Sequence, residues 1–386
     1  KIISDNGYLG ASGVRLDHLT VEGQVKLISD ITALGAQNYS NGVLLAPSGG
    51  SSSISLTTTN ANIYFGGVVN AESRNSSLTI NAGSGQVTFN GKVGDIAYTY
   101  GNYLQSGKGS NVSVLDVAGG VIYINADIQT IDAQIYRGPV RIGDNGSNGN
   151  IRSLLSVDPS ITFASTVDDI TANMHTLMAA AVSFNSATPT ITFNGAVGSN
   201  APLFAMDVVV GLQDMTLLSK VGSVNVDPAN YFGDITISGD VSTMNNQTYT
   251  ANKIALGGSQ GTGMLNFTST QGRITFNTRT SAPGGFVVKD GALLTDINLN
   301  VLNDNSVTGF NGLPAGVNGR LTKPASKGVL DKIGRGDSTG ELHASLLANN
   351  NFQVARVGGD GSGVTVSAPS NVEVCESQQS SQGCTR

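Results

Sequence analysis

Tryptophan is absent from this 386-residue chain, and cysteine (2), histidine (3) and glutamate (5) are nearly so. Only 12% of the residues are charged. With so few surface-helix formers, a mainly helical protein is not expected. No apolar run is long enough to cross a bilayer as a helix. The net charge of −6 offers no basic surface to a phosphate backbone, so no nucleic acid partner is expected. The histidines, His18, His175 and His343, lie far apart and outside any motif. Asp168-Asp169, the only adjacent acidic pair, reads as a solvated corner. Clustered carboxylates for glycan cleavage are not apparent, so no catalytic, cofactor or metal site is expected and the chain reads as a non-enzyme.

What is abundant points to β-structure. Glycine contributes 50 residues and asparagine 36, and 22 of the 27 acids are aspartate. These are turn formers, and they separate short runs rich in β-branched residues. One run recurs as Ile63-Tyr-Phe65, Val87-Thr-Phe-Asn-Gly91, Val121-Ile-Tyr-Ile124, Ile161-Thr-Phe163, Ile191-Thr-Phe-Asn-Gly195 and Ile274-Thr-Phe276. Each is an alternating strand, with Asn-Gly supplying the left-handed backbone of a corner.

A longer unit is more specific. Asp30, Asp127 and Asp240 are each followed seven residues later by glutamine (Gln37, Gln134, Gln247) and two later by tyrosine (Tyr39, Tyr136, Tyr249). The copies lie 97 and 113 residues apart and each runs into an apolar strand. Repeats of this kind predict an all-β parallel β-helix, with ~14–16 coils giving a rod of roughly 70 Å. Tandem immunoglobulin-like β-sandwiches are the alternative, since ~100 residues is also one such domain. Asparagines at successive corners are expected to bond as ladders, and the recurring aspartates to serve turns. The segment Ile170 to Ala181 has helical spacing but occupies a coil position, and it reads as strand.

The expected organisation is a repeat shaft over 1–285, a cap over 286–370 and a polar tail over 371–386. Within the cap, Ser338 three before Glu341 predicts a short helix over 339–349, ahead of terminal strands. In the tail, Cys375 and Cys384 enclose a polar loop ill suited to zinc and read as a disulfide, hence an oxidising, extracytoplasmic setting. No leader-like apolar segment stands at Lys1, so a leader has been removed or the chain is part of something longer.

The Thr-Phe-Asn-Gly and Gln-x-Tyr units make residues 15–281 resemble the large adhesins and haemagglutinin-like exoproteins of Gram-negative bacteria, many of the two-partner-secretion type. That resemblance implies a right-handed β-helical shaft at the cell surface, serving attachment or aggregation. It also implies a role for Cys375 and Cys384 in retention on an outer-membrane transporter or surface anchor. Self-association at the rod ends, making the chain a subunit of an extracellular filament, is the alternative function. A polysaccharide-degrading β-helix enzyme is the outsider, and a host or cell-surface glycan or protein is a possible ligand.

Three further motifs have plain structural explanations beside their functional ones. Asp144 to Asn150 is rich in oxygen ligands but lacks the glutamate that closes a calcium loop. Arg335-Gly336-Asp337 is the tripeptide of integrin ligands, and also the entry to the expected helix. Sequons at Asn38, Asn75, Asn111, Asn145, Asn246 and Asn266 are candidate glycosylation sites.

Overall fold

The computed structural model describes residues 16–324 apart from the segments 49–51, 74, 95–111, 145–149, 158–159, 183–187, 212–232, 259–261, 279–284, 302–306 and 309–316. Beyond these it describes the strands Gly340–Leu347, Asn351–Gly358 and Val372–Cys375. Asn111, Asn145, Arg335 to Asp337 and Cys384 fall outside the described residues. All regular structure among the described residues is β.

Alternation of apolar and polar residues gives each short strand one inward and one outward face. The chain carries these strands through three sheets in a fixed order. Leu19–Val21 enters the first sheet, Val25–Leu27 the second and Ile31–Ala33 the third. Gln37–Tyr39, Val43–Leu45 and Ser53–Thr58 then stack on them, each in parallel. The third sheet gathers ten strands in this way. Parallel stacking continues on the first sheet as far as Asn318–Pro324. This is the arrangement of a parallel β-helix. Tandem sandwiches are excluded, because their sheets are antiparallel.

One apolar core runs from Leu19 to Val317. Among the described residues the coils are fewer than the repeat spacing suggests, because some of them are long. Equivalent residues one coil apart are 19 positions apart at Leu115 and Gln134 but 44 apart at Ile191 and Ile235. The segment Ile170 to Ala181 is strand, as its place between Thr-Phe strands implies, with Thr176–Ala181 pairing in parallel on both sides. The short helix expected over 339–349 is instead the strand Gly340–Leu347, antiparallel to Asn318–Pro324 and to Asn351–Gly358. Leu342, Ala344 and Leu346 recur at period two as well as near helical spacing, and a neighbour on each edge satisfies the backbone as strand.

The long repeat has a definite structural period. Gln134–Tyr136 lies ten strands after Gln37–Tyr39, plus one isolated bridge position at Val93. Gln247–Tyr249 lies ten strands further, plus one bridge position at Val197. Both bridge valines precede a glycine of positive φ, Gly94 (69°) and Gly198 (70°). A Cβ at either would strike the backbone carbonyl of the next coil, Gln129 or Ser242, so only glycine fits. Eleven strand positions with three to a coil make three and two-thirds coils per unit. Each unit therefore starts on a different face. The Gln-x-Tyr strand is in the first sheet in unit one, the third in unit two and the second in unit three.

Each starting strand opens an aromatic stack in its own sheet. Tyr39, Phe65 and Phe89 stack at 5.4 and 5.2 Å, Tyr136, Phe163 and Phe193 at 5.2 and 4.9 Å, and Tyr249 and Phe276 at 5.2 Å. The tyrosine hydroxyls donate to Gln37, Gln134 and Gln247 Oε1 at 2.8, 2.9 and 3.1 Å. The same glutamines donate from Nε2 to the carbonyls of Thr57, Leu155 and Thr268, two strand positions on. Burial holds the three phenols well above the usual tyrosine range, so they remain donors. The unit's aspartates serve the corners as expected: Asp30, Asp127 and Asp240 accept the N–H of Ser55, Ser153 and Asn266. At a corner Asn125 donates to Asn90, as expected, and a second asparagine pair, Asn298 donating to Asn266, forms mid-strand.

Candidate functional site

Because three copies of one unit share a rod, each position has internal counterparts. Most inward positions stay apolar in every copy. The six-residue strands Ser53–Thr58, Ile151–Ser156 and Met264–Ser269 are equivalent, and their second residues are Ile54, Arg152 and Leu265. Arg152 thus stands at a core position and is fully buried. Asp169, also fully buried, takes the place of Ala71 in unit one and Val288 in unit three. His175, immediately before Thr176–Ala181, takes the place of Ser76 before Ser77–Asn81.

These unit-two departures meet at the corners between the first and second sheets. His175 Nδ1 is 2.6 Å from Asp169 Oδ1, and His175 Nε2 is 2.9 Å from Asp144 Oδ2. The imidazole thus bridges the two carboxylates. Asp169 also accepts the N–H groups of Thr171, Met174 and His175, which shapes the corner around it. Arg152 donates from Nε to the Gly143 carbonyl. Removal from water disfavours its charge and outweighs the pull of Asp127 and Asp144. Asp168 accepts Asn200 N and Nδ2 at 2.9 and 3.1 Å and faces Arg141 at 3.5 Å. The expectation of a solvated Asp168-Asp169 corner is overturned, since both carboxylates are fully buried, Asp168 paired by Asn200 and Arg141 far along the chain and Asp169 by His175 and the backbone of its own corner.

Chemically this arrangement is a clamp. Of its carboxylates, Asp144 has a side chain 33% exposed, while Asp168 and Asp169 have none. Among the described residues, no group of three or more histidines, cysteines or acids is placed to hold a metal ion.

The other residues marked in the sequence are dispersed. Asn38 is half-buried mid-strand, Asn75 is exposed at a turn, and Asn246 is exposed but accepts the N–H of Arg273. Asn266 is half-buried and donates to Asp240. Cys375 ends the strand Val372–Cys375. The sequence does not reveal the clamp, because its members are 6 to 31 residues apart and share no one motif. Aligning Ser53-Ile-Ser-Leu-Thr-Thr with Ile151-Arg-Ser-Leu-Leu-Ser is the signal that would have exposed Arg152. No family model, curated protein or solved structure matches this chain.

Proposed function

We propose that the chain is a non-enzymatic, extracellular structural and adhesive protein, the β-helical shaft of a cell-surface adhesin. The observation that carries this reading is the single apolar core through successive copies of one unit, which makes a stiff spacer whose length scales with coil number. The first sheet, with its bridge at Val197, has twelve parallel levels from Leu19–Val21 to Asn318–Pro324. At ~4.8 Å per level that is a stack of about 53 Å. In this reading Cys375 and Cys384 form a disulfide that helps tether the shaft to an outer-membrane transporter or surface anchor.

Negative-stain microscopy of the purified chain, with and without reductant, tests the shaft. Separate rods at least as long as that stack are expected. Compact or beaded particles would sink the proposal. A second reading, the filament subunit, is favoured by Val372–Cys375, which ends its sheet with one edge unpaired among the described residues. Long filaments with a regular axial repeat would select it.

A further inference from the structure

The outward face of the first sheet carries a ladder that the other faces lack among the described residues. Register alone puts Asn38, Tyr64, Thr88, Tyr123, Arg141 and Asp168 in one row on six successive coils. Tyr64 is exposed, and Asn38, Thr88, Tyr123 and Arg141 are half-buried. A Cβ on Gly66 would lie 3.1 Å from Tyr64 Cε1, so that ring rests over the glycine corner and leaves its other side to solvent.

The repeat supplies an internal control. Eleven strand positions on, Tyr64 becomes Thr162, Thr88 becomes Thr192 and Tyr123 becomes Thr236, all in one row of the third sheet. Threonine therefore satisfies the fold at both tyrosine positions. The aromatic rings are an addition of unit one, made where they cost exposed apolar area and earn no core packing.

We propose that this face binds an extended, uncharged, β-linked glycan lying along the rod axis. Tyr64 and Tyr123 are two coils apart, ~9.6 Å at the usual strand spacing. That is close to the two-sugar repeat of a straight β-1,4-linked chain, so both rings meet the same face of alternate sugars. Tyrosine suits this, with an apolar ring for the sugar C–H face and a hydroxyl for its rim. Asn38 and Thr88 lie beside the rings and offer amide and hydroxyl groups to sugar hydroxyls. Charge selects the class. Asn38 to Tyr123 carry none, and Arg141 is balanced by Asp168 at 3.5 Å, so a neutral polyol is the complement and a polyanion is not.

The proposal rests on the extracellular reading only for its biological setting, and the rod can be verified by microscopy whether or not a glycan binds. The test is calorimetric titration of the whole chain with cellohexaose, with maltohexaose as the curved, α-linked control and a polygalacturonate hexamer as the charged one. Cellohexaose alone is expected to bind. Tyr64→Thr/Tyr123→Thr should weaken it by about tenfold or more, whereas Tyr64→Phe/Tyr123→Phe should keep most of the affinity. Circular dichroism checks that both variants stay folded. Absent cellohexaose binding, equal binding by the threonine variant, or equal or stronger binding of either control glycan would overturn the assignment.

Discussion

Asp207 shows what one side chain can do to the stability of a solenoid. It points outward from Ala205–Val210, half-buried, with Oδ1 buried and unpaired. Burial pushes its carboxyl up to about 7. Because the folded value lies above the unfolded one, the native state binds more protons across the interval between them. Asp207 therefore contributes stability at acid pH that is lost as pH rises from about 4 to about 7. Urea unfolding should give a lower midpoint at pH 8 than at pH 5 from this group. Asp207→Asn should flatten that part of the profile and raise the midpoint chiefly at pH 8. An unchanged profile in the variant would show that Asp207 is solvated.

Among elements, the strand Ile151–Ser156 and the corner before Thr176–Ala181 carry the cost of the unit-two clamp. Removing Arg152 takes the donor from the Gly143 carbonyl and a positive charge from beside Asp127 and Asp144, so Arg152→Ile alone should cost about 3–5 kcal/mol. Arg152→Ile/Asp169→Ala/His175→Ser installs the residues that unit one uses there, and should cost much less than the single change. Equilibrium denaturation of both variants measures the difference. A triple variant as unstable as the single would mean that the corner backbone has diverged beyond repair by side chains. The elements themselves were largely legible: Ile-Thr-Phe alternation marks strands, and the constant seven-plus-two spacing from Asp to Gln to Tyr marks the unit. The change of face between units was not. It depends on counting Val93 and Val197 as strand positions, and a single bridged valine leaves no alternating run to read. Coil number is not legible either, since 44 residues can pass between equivalent positions on adjacent coils.

At the scale of the molecule, hydrogen bonds between coils run along the rod axis. Tension on the ends of the chain should then peel coils away one at a time, unlike a protein whose strands are sheared together. The slack released follows the coil lengths. A 19-residue coil such as Leu115 to Gln134 frees about 65 Å, and the 44-residue coil from Ile191 to Ile235 about 150 Å, at ~3.4 Å per extended residue. Single-molecule pulling should give a sawtooth of unequal steps in this range. One all-or-none rupture would contradict it.

The one-third turn between successive units also governs how whole rods meet. Thirty-three strand positions, three units of eleven, bring the pattern back to its first face after eleven coils. Within that pitch of about 53 Å, a given position of the unit comes to each face once. Two rods laid side by side can therefore bring equivalent positions of the unit together at one level only of a given face. The thread-like winding of the units thus works against lateral fusion into bundles, a hazard for any long stack of β-strands.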